Sequence, residues 1–258
     1  MASSPYLINS VLRAAKLLEC FSLENPALTN SQLARMLRLN KSTITRLVYS
    51  LKDAGFLRKD PKTGEYSLTY RLFRIGSVYI NQIGFRTKAR PLLSELASSI
   101  QETVHLAVLN DFEVFYIDKF EGSQSVGMMS RIGYKSPAYC TGVGKILLAH
   151  LSEDEIDRYL RFIELKRYTP NTITNSEELK LHLQRIQRQG YTMDDSEHEA
   201  DIKCVAAPLH DATGNVVASI SIAGPGFRMN RERMEKELLP AVVQTARKIS
   251  ARLGYIDR

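Results

Sequence analysis

The sequence predicts an α+β protein, in which a small N-terminal winged helix-turn-helix precedes a larger domain of helices packed on an antiparallel sheet. Three observations lead to this fold class. Residues 29–54 show two short helical patterns joined by a tight turn, a hairpin pattern follows at 56–68, and β-rich runs alternate with helical stretches from residue 102 onward. The 258 residues are 44% hydrophobic, enough for one large or two ordinary domains.

The first predicted element is a helix over residues 7–22, where apolar side chains recur at helical spacing. Asn25 and Pro26 follow it, and proline cannot continue a helix. Cys20 lies on this helix, where we expect a small core or boundary residue rather than a reactive thiol.

The helix-turn-helix pattern begins at Thr29, which can cap a helix with Gln32 in a capping box. Asn40 is a good cap for the second helix. The apolar stripe of that helix must pack inward and consists of Ile44, Leu47, Val48 and Leu51. The opposite face is then left for solvent or a partner.

This outward face carries hydroxyls and cations, which suit the major groove of DNA because hydroxyls bond phosphates or base edges and cations neutralise phosphates. The predicted DNA-contacting residues on it are Lys41, Ser42, Thr43, Thr45, Arg46 and Tyr49. A solvated surface helix is the alternative interpretation of this stretch alone.

A hairpin pattern directly after this helix predicts a wing. Gly55 is placed to end the helix in a left-handed cap, residues 56–59 and 65–68 form the strands, and residues 60–64 form the turn. We expect Arg58, Lys59 and Lys62 to contact the DNA backbone or minor groove, which adds affinity with little sequence information.

The charge distribution favours a polyanionic partner for the N-terminal part. Residues 1–84 hold 12 Lys and Arg against 5 Asp and Glu, a net charge of +7, whereas the other 23 basic and 23 acidic residues cancel. All the excess charge therefore lies on the segment with the helix-turn-helix, as expected of a module that binds double-stranded DNA.

A linker helix is predicted at residues 70–84, with an apolar face that can pair with a second subunit, and a further helix at 87–99. The expected division is a DNA-binding domain at 1–70, linker helices at 71–100 and a C-terminal domain at 101–258. In that last domain strands are predicted at 103–109, 114–117, 125–129, 190–193, 204–209 and 216–222, and helices at 144–150, 152–160, 176–189 and 231–253.

Two features of the C-terminal domain favour a binding pocket. Residues 141–145 form a glycine-rich turn that opens a helix, where free backbone N–H groups can hold a carboxylate. Ser219 and Ser221 alternate with apolar residues on one strand, so one strand face carries hydroxyls. Inward-facing hydroxyls need partners, which a polar ligand can supply.

The catalytic alternatives are weaker. Ile146 stands where a phosphate-binding loop needs Ser or Thr, and the acidic run at 194–201 matches no zinc or calcium spacing. A metal- or thiol-dependent sensor or enzyme that uses Asp194, His198, Cys140 and Cys204 stays open as the rival hypothesis, with His105 a further ligand type. We expect no enzyme activity, no metal and no cofactor.

The chain also lacks signals for export or membrane insertion. No apolar run approaches the length of about 18 residues that spans a bilayer, and the N-terminus lacks the pattern of a signal peptide. Three distant cysteines without a Cys-x-x-Cys pair favour reduced thiols. We therefore expect a cytoplasmic protein with no membrane partner.

The motifs together resemble those of the IclR family of bacterial transcription regulators over nearly the whole chain. They are LNKSTITRLVYSLKDAGFL with the wing behind it, YCTGVGKILLAHL, and GYTMDDSEHEADIKCVAAPLHDATGNVVASISIAGP. The resemblance implies a winged helix-turn-helix, a linker helix and a GAF-like effector-binding domain. It also implies dimers or dimers of dimers on palindromic operators, and effectors that are small organic or aromatic acids or related catabolic metabolites.

The resemblance further implies an effector site at Thr141, Gly142, Asp194, Cys204 and Ser221. Ala223 stands where the family has a second serine, which leaves room for a bulkier effector than the smallest oxo-acids. Asp201 stands where glycine is common. Since glycine there suggests an unusual backbone conformation, Asp201 is expected to reshape the pocket mouth, although aspartate tolerates left-handed geometry better than most residues. The remaining candidates for the effector site are Ser219, His105, Met129 and Arg131.

Overall fold

The computed structural model describes residues 6–124 and 130–256. The chain divides into two compact units, Met1–Gln82 and Ile83–Arg258. Within the described ranges, the helices are all too short or too polar to traverse a lipid bilayer. The strand predicted at 125–129, together with Met129, lies outside the described residues.

The N-terminal unit is a winged helix-turn-helix, as predicted. Its helices are α1 (Asn9–Leu18), α2 (Asn30–Leu37), α3 (Lys41–Asp53) and α4 (Tyr70–Gln82). A small antiparallel sheet in the order β1-β3-β2 comprises β1 (Ala27–Leu28), β2 (Leu57–Lys59) and β3 (Tyr66–Leu68). The predicted helix at 7–22 is longer than α1 at both ends, because Ile8 is the extended N-cap residue, with φ −91° and ψ 101°, and Glu19 is the C-cap.

The predicted caps fix the ends of α2 and α3. Thr29 and Gln32 form both halves of a capping box, and the side chain of Asn40 accepts the N–H of Thr43 at 2.8 Å. At the other end of α3, Gly55 has a φ of 76°. Its N–H and that of Phe56 close a Schellman motif onto the carbonyls of Lys52 and Leu51, at 2.9 and 2.8 Å.

The core of this unit holds α3 in one orientation. The inward stripe of α3 is buried as predicted and packs with residues of α1, α2 and the sheet: Leu17, Leu28, Leu33, Leu57 and Tyr66. Since the stripe is used for packing, the opposite face of α3 is presented to solvent.

The C-terminal unit contains a six-stranded antiparallel sheet in the order β6-β5-β4-β9-β8-β7. The strands are β4 (Thr103–Asn110), β5 (Glu113–Phe120), β6 (Lys135–Pro137), β7 (Thr192–Asp195), β8 (Ile202–His210) and β9 (Val216–Pro225). The sequence did not predict β6, a three-residue edge strand without a periodic pattern. The predicted strand at 190–193 begins too early, because Gly190 is the left-handed cap of the preceding helix.

Helices cover both faces of this sheet. They are α5 (Gly84–Ile100), α6 (Gly142–Ala149), α7 (Glu153–Phe162), α8 (Ser176–Gln189), α9 (Arg231–Arg233), a π-helical segment (Met234–Leu238) and α10 (Leu239–Arg252). Helices α5 and α10 share one core with the sheet, and α6, α7 and α8 share another. Neighbouring strand residues point to opposite cores, as Leu106 and Ala107 do. The α+β class is confirmed.

Candidate functional site

The outward face of α3 carries the side chains predicted to meet DNA. Lys41, Ser42, Thr45 and Arg46 are exposed, Thr43 is half-buried, and Tyr49 is 69% exposed. A face of cations, hydroxyls and one aromatic ring is therefore available to a groove.

The polar groups on this face differ in how they are held. The hydroxyl of Ser42 donates to Asn40 Oδ1 at 2.9 Å. The hydroxyl of Thr45 donates to the Lys41 carbonyl at 2.8 Å and accepts from Asn30 Nδ2, on α2, at 3.2 Å. In the described part of the chain, the ends of Lys41 and Arg46 make no hydrogen bond or ion pair. The hydroxyls of Ser42 and Thr45 are thus held in place before DNA binds. Lys41 and Arg46 can bind phosphates without first breaking an ion pair within the protein.

The wing presents a second set of cations. Arg58 Nε donates to Ser67 Oγ at 3.0 Å across the β2–β3 pair, and Lys59 Nζ lies 5.6 Å from the centre of the Tyr66 ring. Lys62 is exposed in the turn, where its backbone N–H donates to Asp60 Oδ1 at 2.7 Å. The three predicted wing residues are therefore exposed on one hairpin.

The C-terminal unit contains a cavity of about 50 Å³ at the N-terminus of α6. It brings together six of the predicted effector-site residues: Thr141, Gly142, Asp194, Cys204, Ser221 and His105. The sheet register explains the convergence, because Asp194 pairs with Cys204, Cys204 with Ala223, and Ser221 with His105. Residues remote in sequence thus become neighbours on three adjacent strand pairs.

The N-terminus of α6 forms one wall of this cavity. Thr141 caps the helix by accepting the N–H of Gly144 at 3.3 Å, while its hydroxyl donates to the Pro137 carbonyl at 3.1 Å. A Cβ on Gly142 would lie 2.5 Å from Cys204 Sγ. Only glycine lets the helix start approach the thiol this closely, and the positive end of the helix dipole favours an anion there.

Asp194 is buried at the base of the cavity. Its Oδ1 accepts the N–H of Glu197 at 3.1 Å, and Cys204 Sγ lies 3.7 Å from its Oδ2. Burial raises the pKa of Asp194 to about 7, with Lys145 lowering it and Glu197 raising it in part. This carboxyl can therefore carry a proton near neutral pH.

His105 lines the opposite wall as a neutral imidazole. Its Nε2 lies 2.8 Å from Ser130 Oγ and its Nδ1 lies 3.4 Å from Ser221 Oγ. The ring is tilted against that of Tyr116, with centroids 5.1 Å apart. Burial lowers the pKa of His105 to about 3. The cavity wall here consists of uncharged groups that can donate or accept hydrogen bonds.

The structure does not bring two other candidates to the cavity. Ser219 is fully buried and donates to the Ala207 carbonyl at 3.2 Å, and Arg131 is exposed. Sequence reasoning missed three polar lining residues, Tyr116, Ser130 and Glu199. Glu199 lies in the acidic run already noted, but nothing in the sequence distinguishes Tyr116 or Ser130.

Asp201 adopts left-handed geometry, with a φ of 63°. Its carbonyl accepts the N–H of Gly226. Aspartate therefore tolerates the backbone conformation that glycine adopts freely. The turn carries the chain from the cavity-lining segment with His198 and Glu199 into β8.

The rival hypothesis of a metal or thiol site lacks support in the geometry. Among residues 6–124 and 130–256, no three His, Cys, Asp or Glu side chains converge as metal ligands do. Burial raises the pKa of both the Cys140 and Cys204 thiols, so neither is poised as a thiolate. His198 packs edge-on against Tyr168, with ring centroids 4.7 Å apart.

Comparison with known proteins agrees with both units. A family model described as "IclR helix-turn-helix domain" matches residues 10–61, and one described as "Bacterial transcriptional regulator IclR C-terminal" matches residues 77–251. The HTH-type transcriptional regulator KdgR of Escherichia coli (strain K12) is 34% identical over 253 residues, which cover 98% of this chain and 95% of that protein.

Solved structures share the fold along nearly the whole chain. The Thermotoga maritima IclR structure is 35% identical, with a TM-score of 0.77 and coverage of 96% of this chain and 99% of that one. An IclR homolog from Microbacterium hydrocarbonoxydans complexed with 4-hydroxybenzoate is 26% identical, with a TM-score of 0.82 and coverage of 95% and 98%. This chain therefore belongs to the IclR family, whose members are DNA-binding transcription regulators with a ligand-binding C-terminal domain.

Proposed function

We propose that this chain binds a palindromic operator as a homodimer or a dimer of dimers, and that a small organic acid in the α6 cavity controls that binding. The observation that carries the effector class is the meeting of a helix N-terminus with a ring of hydrogen-bonding side chains on the sheet. Backbone N–H groups at such a terminus bind carboxylates well. The acid-bound relative from Microbacterium supports this class.

The volume of the cavity favours a compact acid. A cavity of about 50 Å³ has space for only a few waters, which suits a ligand of two or three carbons. From the sequence, Ala223 in place of a serine suggested room for a bulkier effector. In the structure Ala223 lines the cavity, and the cavity is nevertheless small. A benzoate-sized ligand would have to displace the wall that His198 and Glu199 provide.

The operator contacts that we propose are made by α3 and the wing. Lys41 and Arg46 would neutralise phosphates, and the hydroxyls of Ser42, Thr43 and Thr45 and the ring of Tyr49 would meet base edges or sugar. On the wing, Arg58, Lys59 and Lys62 would hold the backbone. The net charge of +7 on residues 1–84 supports this assignment.

The proposed second subunit is supported by the apolar surface of α4. None of its residues is buried, and Tyr70, Phe73, Val78 and Tyr79 are each more than half exposed. Apolar patches of this kind mark interaction sites more often than free surface. A palindromic operator needs two recognition helices, which a dimer supplies.

Two experiments test the proposal. An operator selected from random DNA by the full-length protein is titrated by fluorescence anisotropy at several salt concentrations. Lys41→Ala and Arg46→Ala should each weaken binding and reduce the salt slope by about 1, while Lys236→Ala, an exposed lysine of the C-terminal unit, should change neither. Unchanged slopes for both α3 variants contradict the assignment.

For the effector, thermal unfolding is followed against a panel of small carboxylates, since a ligand of the native state raises its apparent stability. Ser221→Ala should reduce the shift, because its hydroxyl lines the cavity. Ser219→Ala is the matched control, two residues away on the same strand and bonded to a backbone carbonyl. Equal thermal shifts in Ser221→Ala and Ser219→Ala would show that the effector does not bind in this cavity.

A further inference from the structure

We propose that acid effectors enter this cavity together with one proton, which Asp194 holds, so that Asp194 acts as a hydrogen-bond donor to the bound carboxylate. The inference rests on the proposed function of the cavity as a carboxylate site. It adds that the regulator responds to the acid and to pH together, through one residue.

The first argument is the absence of a counter-ion in the cavity wall. Among the described lining residues there is no lysine or arginine, whereas two, Asp194 and Glu199, are carboxyls. An anionic ligand that met an ionised Asp194 a few ångströms away would be repelled, and in a buried site this repulsion is poorly screened. The α6 terminus supplies only about half a positive charge, which does not balance two carboxylates.

The nearest cation is already neutralised. Lys145 Nζ, one turn along α6, forms an ion pair with Glu197 Oε1, and both side chains are buried. Its second neighbour is His182 Nε2 at 3.4 Å. Lys145 is not among the residues that line the cavity. Its charge is therefore committed to Glu197 and cannot serve as a clamp for a ligand.

The titratable and charged groups around Asp194 indicate that Asp194 itself carries the added proton. On or next to α6 these groups are Lys145 and Cys140, and on the loop between β7 and β8 they are Glu197, His198 and Glu199. The sheet contributes Cys204 on β8, His105 on β4 and Tyr116 on β5. Of these, His105 is neutral and the Cys204 thiol keeps its proton. Burial raises the pKa of Asp194 to about 7, so the cost of adding its proton is small at neutral pH.

Geometry favours Asp194 over Glu199 as the donor. The Glu197 N–H donates to Asp194 Oδ1 at 3.1 Å, and the Cys204 thiol donates to Oδ2 at 3.7 Å. Because a thiol is a weak donor, Oδ2 is the oxygen that can carry a proton into the cavity. Glu199 is only half-buried, and its Oε1 lies 3.9 Å from His198 Nδ1. Glu199, the other carboxyl in the cavity wall, is therefore the control residue for Asp194.

The experiment is isothermal titration of the full-length protein with acetate, glycolate and lactate, and with glycolamide as a neutral analogue, in two buffers of different ionisation enthalpy. At pH 8 the wild type should take up close to one proton per carboxylate bound, and the dissociation constant should rise about tenfold per pH unit above the pKa of Asp194. Glycolamide should bind without proton uptake.

Asp194→Asn is the decisive variant, because the amide keeps an acceptor for the Glu197 N–H and mimics the protonated acid. It should bind the carboxylates at pH 8 at least as tightly as the wild type, with no proton uptake and no pH dependence, whereas Glu199→Gln should retain uptake. Carboxylate binding by the wild type without proton uptake overturns the inference and leaves the proposed function intact. If none of the three acids binds at pH 6 or 8, in either the wild type or Asp194→Asn, the carboxylate site itself is refuted.

Discussion

Lys145 Nζ contacts Glu197 Oε1 inside the C-terminal unit, and the lysine side chain is 0% exposed. The pair joins α6 to the loop between β7 and β8, and the N–H of the same Glu197 holds Asp194 Oδ1. Glu197 Oε2 has no hydrogen-bond partner among the described residues. One ion pair therefore fixes both the helix terminus and the carboxyl that form the cavity.

Removing one partner of this pair should destabilise the C-terminal unit strongly. Lys145→Met leaves Glu197 buried without its counter-ion, which costs about 3–5 kcal/mol of unfolding free energy. The double variant Lys145→Met, Glu197→Gln should lose less than the sum of the two single changes. Urea unfolding followed by far-UV circular dichroism measures all three.

The comparison for this prediction is Lys180→Met, which breaks the partly exposed pair with Asp157 at 2.8 Å. Solvent-exposed pairs contribute little to stability, so the loss should be much smaller. Equal losses for Lys145→Met and Lys180→Met contradict a special role for the buried pair.

Gly142→Ala should abolish the effector response while leaving operator affinity unchanged. The new Cβ would lie 2.5 Å from Cys204 Sγ, so the thiol or the start of α6 must move and the cavity must change shape. The forced movement should also lower the stability of the C-terminal unit. Adding Cys204→Ala removes the obstacle and should restore part of that stability. Thermal shifts with carboxylates and anisotropy with operator DNA measure the two effects.

The control for this change is Gly84→Ala, at the first residue of α5, where a Cβ meets nothing within 4 Å, so the effector response should be unchanged. A normal effector response in Gly142→Ala would show that the helix start is not part of the binding wall.

Local signals in the sequence predicted most of the N-terminal unit. The caps at Thr29 and Asn40 and the stripe from Ile44 to Leu51 act within a few residues, so they fix α2 and α3 without knowledge of the rest of the chain. Leu7 belongs to the apolar pattern of α1 but lies before the extended N-cap residue Ile8, outside the helix. Pattern alone therefore overestimated α1.

The cavity was predictable only in part, because it depends on which strands become neighbours. The family resemblance supplied Asp194, Cys204 and Ser221, but Tyr116 reaches the site only because β5 pairs with β4 and β4 with β9. Ser219 shares the strand face of Ser221, yet two residues along a strand is a displacement of about 6.6 Å. That distance takes Ser219 out of a cavity of only about 50 Å³.

Arg38 should be replaceable by glycine with a gain in stability. It lies in the turn between α2 and α3 with a φ of 52°, and Leu39 N–H donates to the Ala34 carbonyl at 3.1 Å across it. A side chain in this left-handed region costs about 1 kcal/mol relative to glycine. Thermal unfolding of Arg38→Gly should therefore show a higher transition for the N-terminal unit.

The control for Arg38 is Arg35→Gly, which places glycine within the last turn of α2. There the backbone is right-handed, so glycine should lower stability by about 1 kcal/mol. A loss of stability in both variants would indicate that the Arg38 side chain contributes more than its backbone strain removes.

His105 should remain neutral throughout the physiological range. Burial lowers its pKa to about 3, and its ring nitrogens lie within hydrogen-bonding distance of Ser130 and Ser221. The unfolded chain protonates this histidine below about pH 6.5, whereas the folded chain does not. Stability from this residue is therefore complete above pH 6.5 and is lost as the pH falls toward 3.

At pH 5 this loss amounts to about 2 kcal/mol, since each pH unit in that window corresponds to about 1.4 kcal/mol. Asp194 has the opposite effect on stability as the pH falls. Its raised pKa makes the folded chain the better proton acceptor up to about pH 7, so protonation favours the folded state. The contribution of His105 is therefore taken as the difference between the wild type and His105→Gln in urea unfolding at pH 5 and pH 7.5. Histidine NMR provides the direct check: the signal absent from His105→Gln should keep the shift of neutral imidazole down to pH 5, and titration of that signal near pH 6.5 would refute the buried neutral state.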